Sequence, residues 1–179
     1  MYHQTQPRTL VIKIKSWGGG SMVVTDANSG QVLYTTKLSV KKPHVVIQGA
    51  TTGATVGTAD FHAHTSRIDV AIYNHPLTLT SHGMLKPSYS VASPALGNEN
   101  ITWKNEKWSK ELDKNAVDSR GNVLARMIEN DGWTVEGVGS IELLDPRVQG
   151  GYGLDEMVVM ALIFFHQAKG SELIQSMSG

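Results

Sequence analysis

Residues Met157–Phe165 read MVVMALIFF, an unbroken run of apolar side chains near the end of the chain. A helix made from this run is apolar on every side rather than along one stripe, so it must be enclosed by protein or lipid. Because about 20 apolar residues are needed to cross a bilayer, the run is too short to span one. The sequence therefore predicts a helix that is buried inside the chain's own fold.

The residues on either side of this run mark the two ends of the helix. Asp155 and Glu156 precede it, where the positive end of a helix dipole favours acidic side chains. Lys169 and Gly170 follow it, a pattern typical of a basic last turn and a C-cap glycine. We therefore predict a helix over about 154–169 and a small, polar, flexible tail over 170–179.

The sequence before the helix is dominated by alternation and by short β-branched runs between turn residues. Leu10, Ile12 and Ile14 alternate with outward-facing positions, as expected for a strand with one wet face. Asp26–Gly30 (DANSG) predicts a hairpin turn. Roughly ten to twelve such segments follow one another at the spacing of a sandwich or barrel, so the fold class is mainly β.

Composition excludes several classes of function. The 16 basic and 16 acidic residues cancel, so no global field attracts nucleic acid. The chain has no cysteine, which excludes disulfides and fits an intracellular protein. Lys13 and Lys15 interrupt the only apolar stretch near the N-terminus, so no signal peptide is expected. We predict one cytoplasmic domain over 1–169, with no transmembrane segment and no nucleic-acid partner.

Two pairs of segments resemble each other. Asp26–Leu33 (DANSGQVL) is similar to Asp118–Leu124 (DSRGNVL), and Val56–Phe61 (VGTADF) is similar to Val138–Leu143 (VGSIEL). Hairpins of this kind look alike by chance, because Asp and Gly are what such turns require. The sequence leaves open whether the chain is a true two-fold repeat.

The two Asp–Gly hairpins and the segment 154–167 (LDEMVVMALIFFHQ) resemble the tubby C-terminal-like superfamily. That superfamily includes the tubby domain, the LURP-one-related plant proteins and the phospholipid scramblases. Trp103 and Trp108 also make the chain similar to small fungal tubby-like proteins. The resemblance covers about residues 9–168. It implies a closed antiparallel β-barrel, here of roughly ten to twelve strands, wrapped around the C-terminal apolar helix.

The histidines are the sharpest chemical candidates. His62 and His64 are alternate residues of a predicted strand, so both imidazoles could reach one metal ion. His75 lies beyond the next strand, close enough to pair across a hairpin. The H-x-H pair resembles the first cupin motif, but Ser66 and Arg67 stand where that motif has Glu. We predict no metal and no cofactor, and keep the three histidines as catalytic candidates.

Lysines and tryptophans form a second candidate site. Lysine can hold a phosphate while indole enters the membrane interface, and the tubby resemblance implies phosphoinositide binding. Interleaved acidic residues reduce the net charge of 104–114 to about two positive, so a solvated loop also fits. The candidate ligand-binding residues are Trp103, Trp108, Lys41, Lys42, Lys104, Lys107 and Lys110.

Two functions follow from these observations. A barrel filled by its own helix has no room for an internal ligand, so any site is expected at the barrel rim. We favour a non-enzymatic tubby-like binding domain for an anionic phospholipid headgroup, a small apolar molecule or a protein. The alternative is a barrel-type enzyme, a cyclase, isomerase or metal-dependent enzyme, using His62, His64 and His75. Peripheral membrane attachment and a homodimer are left open.

Overall fold

The structure is a computed structural model that describes residues 5–15, 21–63, 65–84, 87–106, 109–134 and 137–177. The strands are β1 (Arg8–Ile14), β2 (Met22–Asp26), β3 (Val32–Leu38), β4 (Val45–Gly49), β5 (Thr55–Phe61), β6 (Ile68–Ile72), β7 (His75–Thr78), β8 (Thr80–His82), β9 (Ser88–Ser93), β10 (Glu99–Asn105), β11 (Lys114–Val117), β12 (Val123–Thr134) and β13 (Gly137–Leu143). Two short 3-10 turns are Pro94–Leu96 and Pro146–Val148, and one helix, α1, spans Gly151–Met177.

All of these strands belong to one antiparallel sheet. Strands that follow one another in the chain are neighbours in the sheet, except β7 and β8, which are its two end strands. The pairing of β1 with β13 joins the two halves. In that join, Leu10 lies opposite Ile141 and Arg8 opposite Leu143. The order is β7-β6-β5-β4-β3-β2-β1-β13-β12-β11-β10-β9-β8.

A single chain segment brings the two ends of this sheet together. β7 pairs with β6, whereas β8 pairs with β9, and only Leu79 separates β7 from β8. The sheet is therefore a nearly closed barrel. The described chain has 13 strands, slightly more than the predicted ten to twelve. One reason is that the segment 75–82 changes neighbours at Leu79 and therefore forms two strands instead of one.

Helix α1 fills the barrel. Each residue from Met157 to Phe165 is at most 1% exposed, which confirms the prediction of a buried, all-round apolar helix. The barrel wall contributes inward-facing residues such as Leu10, Ile12 and Ile14, as the strand alternation predicts. Aromatic rings pack between wall and helix, with Phe164 at 5.0 Å from the Tyr89 ring and 5.4 Å from the Trp103 ring.

The helix is longer than the predicted 154–169 at both ends. It begins at Gly151, inside a glycine-rich stretch that helix propensity disfavours. Gly153 is needed there, since an added Cβ would lie 2.2 Å from the Arg147 carbonyl oxygen. Gly170 does not end the helix, which continues to Met177 through the predicted flexible tail. A mid-helix glycine costs only about 1 kcal/mol, and no proline follows it.

No helix in the described part of the chain is long and apolar enough to cross a membrane.

The two Asp–Gly hairpins are alike in detail. Asp26 and Asp118 each accept two or more backbone N–H groups of their own turn at 2.8–3.2 Å. The similarity between the two halves does not extend beyond these hairpins. Gly57 lies in β5, two strands after its hairpin, and faces α1, whereas Gly139 lies in β13, directly after its hairpin strand, and faces the backbone of β12.

Gly57 provides a test of how tightly the barrel encloses the helix. A Cβ added there would lie 2.6 Å from Cγ2 of Val159, whose rotamers are restricted in a helix. We expect Gly57→Ala to lower the free energy of unfolding by about 1–3 kcal/mol, measured by urea denaturation.

Gly150 is the matched control, since an added Cβ there meets nothing within 4 Å. Gly150→Ala should change stability by less than about 0.5 kcal/mol. Adding Val159→Ala to Gly57→Ala should restore part of the loss, because the two sites share one contact. Equal effects of the two glycine substitutions would contradict the proposed close contact.

Candidate functional site: two pockets at the ends of the buried helix

The first pocket lies at the barrel rim beside the C-terminal part of the buried helix. It has a volume of about 270 Å³. The side chains that define this Lys114 pocket are Tyr89, Asn105, Glu111, Lys114, Phe164 and Gln167. They come from three strands (β9, β10 and β11), one loop and α1, so the pocket exists only where the fold brings these elements together.

Lys114 is the central group of the pocket. It begins β11 and lies on the same face as Ala116, which is the inner face of the barrel. The side chain is only 7% exposed. Its ammonium group lies 5.9 Å from the Tyr89 ring centre and 5.7 Å from that of Phe164. Aromatic faces attract a cation at these distances, which offsets part of the cost of burying it.

Asn105 fixes the position of Lys114. Its Oδ1 accepts a hydrogen bond from the Lys114 ammonium group at 2.7 Å. Its Nδ2 donates to three carbonyl groups of the following loop, those of Lys110, Glu111 and Asp113, at 2.8–3.0 Å. On the helix side, Gln167 donates to the Tyr89 hydroxyl at 2.7 Å. The pocket therefore presents a positive charge in a frame of ordered amide groups.

None of the lysines and tryptophans predicted to bind a ligand lines this pocket among the residues that the structure describes. Trp103 is fully buried in the core, so the expectation that it takes part in an exposed patch does not hold. The reason is strand alternation, which turns Trp103 inward and Lys104 outward on β10. Lys110 lies on the surface and forms an ion pair with Asp131. Lys107 and Trp108 lie outside the described residues.

Lys41 and Lys42 belong to a separate surface. Both are exposed and lie in the connection between β3 and β4. Four strands separate β3 from β11 in the sheet. The two groups of lysines therefore do not form a single basic patch.

The structure separates the candidate histidines. Nε2 of His62 lies 2.6 Å from Oδ2 of Asp69, and Arg67 donates to the other oxygen of Asp69 at 2.9 Å. These contacts, His62 first, lower the pKa of Asp69. His75 lies opposite Ile72, at the far end of β6 from Asp69, so it does not join His62. His64 lies outside the described residues.

No group of three or more metal-ligating side chains is present among the residues that the structure describes. His62 and Asp69 are both partly exposed on the strand surface. They form a surface ion-pair site with Arg67 rather than a convergent set with the other candidate histidines.

A different histidine is buried. His166 in α1 is 7% exposed, and its Nδ1 has no hydrogen-bond partner among the described groups. Its ring lies 4.8 Å from Phe61, whose backbone N–H donates to His44 at 3.0 Å. Burial, and to a smaller extent the charge of His44, lowers the pKa of His166 to about 4.

The second pocket lies at the opposite end of the buried helix segment. It has a volume of about 210 Å³ and contains Tyr34, Tyr73, Asp155 and the turn 49–52, which we name the Asp155 pocket. The Tyr34 hydroxyl donates to Oδ1 of Asp155 at 2.5 Å, and the Tyr73 hydroxyl donates to Oδ2. Burial, reinforced by the Asp155 carboxylate, raises the pKa of Tyr73 to about 12 and that of Tyr34 further.

Glu156, next to Asp155, faces a different part of the fold. It is fully buried, and its Oε2 accepts the backbone N–H of Ala95 at 3.1 Å. Burial raises its pKa, while hydrogen bonds from Ser93 and Ala95 act in the opposite direction. Glu156 thus links α1 to the 3-10 turn after β9 and is not part of the Asp155 pocket.

The sequence contained a signal for one of these pockets but not for the other. Counting in steps of two from the apolar Ala116 places Lys114 on the inner face of β11. The Asp155 pocket has no such signal, because 121 residues separate Tyr34 from Asp155 and 82 separate Tyr73 from it.

The chain matches no protein-family model and no curated protein. Among solved structures, it is similar to a protein from Arabidopsis thaliana determined by X-ray analysis. The two share 14% sequence identity, with a TM-score of 0.42, and the similarity covers 92% of this chain and 91% of the Arabidopsis chain.

The buried His166 predicts how stability depends on pH. Its pKa of about 4 in the folded protein lies below the usual value of 6.5, so the unfolded chain binds the proton more readily. Its contribution to stability is fully present above pH 6.5 and is lost as the pH falls toward 4. The free energy of unfolding of His166→Leu, relative to that of the wild type, should therefore rise by about 3 kcal/mol as the pH falls from 7 to 4.

Urea denaturation at a series of pH values measures this difference. His75→Gln is the control, because His75 is exposed and lies on β7 away from α1. The control should follow the wild-type pH profile. A His166→Leu profile parallel to wild type would show that His166 is not held neutral by burial.

Proposed function

We propose that this chain is a non-enzymatic tubby-like binding domain that takes up a small anionic group in the Lys114 pocket. The observation that carries the proposal is the Lys114 ammonium group, 7% exposed and held by Asn105 beside a rim pocket of about 270 Å³. A charge in such a site interacts with an opposite charge more strongly than a lysine in water does.

The chemistry of the pocket favours an anion with several acceptor oxygens. A lysine ammonium group has three donors; that of Lys114 donates to Oδ1 of Asn105 at 2.7 Å and, over a longer distance of 3.5 Å, to the Pro87 carbonyl oxygen. The amide of Gln167 supplies further donor capacity, while Tyr89 and Phe164 form apolar walls. Phosphate and carboxylate groups match these donors. Glu111 also lines the pocket and disfavours a second negative charge close to it.

Binding is favoured over catalysis by the placement of the acid–base groups. The Lys114 pocket contains no histidine among its described residues. His62 pairs with Asp69 on the strand surface, and His75 lies at the far end of β6. General acid–base catalysis by the candidate histidines would require them within hydrogen-bond reach of one substrate, whereas anion binding requires only the cation and donors already at the pocket.

Lys114→Met tests this proposal directly. Methionine keeps the unbranched side chain and removes the charge, so the walls of the pocket should persist. Hydrogen bonds to charged groups contribute about 1.5–3 kcal/mol, so the substitution should weaken binding of inositol phosphate or inorganic phosphate at least tenfold. Isothermal titration calorimetry provides the measurement.

Lys104→Met is the matched control, because Lys104 is exposed on the outer face of β10. It changes the net charge equally and should leave the affinity nearly unchanged. Equal losses in both variants would indicate a nonspecific effect of charge, and undiminished binding by Lys114→Met would refute the proposed pocket.

Liposome co-sedimentation separates a lipid headgroup from a soluble ligand. If the ligand is a headgroup, vesicles containing phosphoinositide should pellet the wild type, and pelleting should fall with salt. If it is a soluble anion, calorimetry should show binding while pelleting remains absent. The absence of both would refute the function.

A further inference from the structure

The Asp155 pocket lies at the other end of the helix from the Lys114 pocket and has the opposite charge. Asp155 and Gln167 are about 18 Å apart along α1, at a rise of 1.5 Å per residue. The Asp155 pocket is lined by Tyr34 and Tyr73, by Leu154 and Asp155 from the first part of α1, and by the turn 49–52.

Asp155 brings a negative charge to this pocket and is in no ion pair among the described side chains, although the charge of Arg8 acts on the neighbouring Tyr34 hydroxyl. Its two hydrogen-bond partners, Tyr34 and Tyr73, are both neutral donors. The ion pairs found among the described side chains involve other carboxylates, and Arg8 is paired with Asp26. A carboxylate in a partly enclosed site without a cation is an attractive position for one.

The aromatic rings add a second attraction for a cation. Tyr73 stacks on Tyr152 with ring centres 5.5 Å apart and an angle of 26° between the rings. Tyr34 is 5% exposed and directs its hydroxyl to Asp155. The faces of tyrosine rings attract ammonium groups, and Tyr73, which is 41% exposed, is accessible to a ligand from outside.

Tyr73 occupies its place at a conformational cost. It has a φ of 48° and Asn74 has a φ of 65°, so the two residues form the type I′ turn between β6 and β7. Asn or Gly is preferred at such positions, and other residues pay roughly 1–2 kcal/mol. Residues held in a strained backbone conformation are frequent at functional sites.

We propose that the Asp155 pocket binds a small organic cation carrying an ammonium group. The ammonium charge would lie against the Asp155 carboxylate, and its carbon substituents against the rings of Tyr34 and Tyr73. Thr51 and Thr52 also line the pocket and suit the polar remainder of such a molecule, although the Thr52 hydroxyl oxygen already accepts the backbone N–H of Ala54.

A metal ion fits the pocket less well than an organic cation. Divalent ions such as calcium require six or more oxygen ligands, whereas this pocket has a single carboxylate. The neighbouring carboxylate of Glu156 is directed to Ala95 instead. The volume of about 210 Å³ is smaller than that of pockets for drug-sized molecules, and it suits a compact ammonium group.

Titration with choline and with its neutral isostere 3,3-dimethylbutan-1-ol tests the proposal. The two molecules have nearly the same shape and differ in charge. NMR titration of the wild-type protein should show saturable binding of choline, or of methylammonium if a primary ammonium group is preferred. The neutral isostere should bind at least tenfold more weakly. Equal binding of the isostere, or no saturable binding of either cation, would overturn the proposal.

Two variants locate the site. Asp155→Asn keeps the shape of the side chain and should weaken cation binding at least tenfold. Tyr73→Asn places a preferred residue in the type I′ turn, so the fold should be retained while the ring is lost, and binding should fall at least threefold. Glu142→Gln, on β13, is the charge-matched control and should bind as wild type does. Unchanged binding by both Asp155→Asn and Tyr73→Asn would refute the assignment.

Discussion

The enclosure of an apolar helix by a single sheet is the constraint on which the rest of this structure depends. Residues Met157–Phe165 have no polar face to turn toward water, so burying them requires a wall on every side. One antiparallel sheet provides that wall because β1 pairs with β13 and the segment 75–82 connects its two remaining ends. The apolar area removed from water, at roughly 25 cal/mol per Å², then stabilises helix and sheet together.

The same constraint determines where polar chemistry can occur. The helix fills the interior, so charged groups that face inward do so at the two ends of its buried segment. At one end, Lys114 lies beside aromatic rings and is fixed by Asn105. At the other, Asp155 receives two tyrosine hydroxyls. The two proposed sites are thus consequences of one packing arrangement, with a positive pocket and a negative pocket joined by a rigid helix.

A buried titratable group marks the limit of the apolar region. His166 follows directly after Phe165 and is still enclosed, so its neutral form is favoured. Glu156 occupies the equivalent position before Met157, and burial favours its protonated form. Each end of the apolar run therefore carries a side chain that could ionise in water but is held toward neutrality by the protein around it.

The sequence was informative wherever the physical signal was local. The apolar run, the alternation of Leu10, Ile12 and Ile14, and the Asp–Gly turns each act within a few residues, and each predicted the structure that is found. Local signals failed at the ends of α1, because Gly153 is there to let α1 approach the Arg147 carbonyl group. The expectation for Trp103 was wrong because it rested on residue type alone, whereas strand alternation places Trp103 on the inner face of β10 together with Ile101.

The candidate sites show the same difference between what local sequence signals predict and what long-range contacts decide. By itself the sequence determined that the fold is mainly β and that one helix is buried, and it predicted that any ligand site lies at a rim. Only the tertiary structure decided which polar residues meet there. Tyr34, Tyr73 and Asp155 come together across 82 and 121 residues of chain, and His62 and His75 are kept apart at opposite ends of β6. The physical reason is that strand register and barrel closure set these distances, and both depend on pairings between segments remote in sequence.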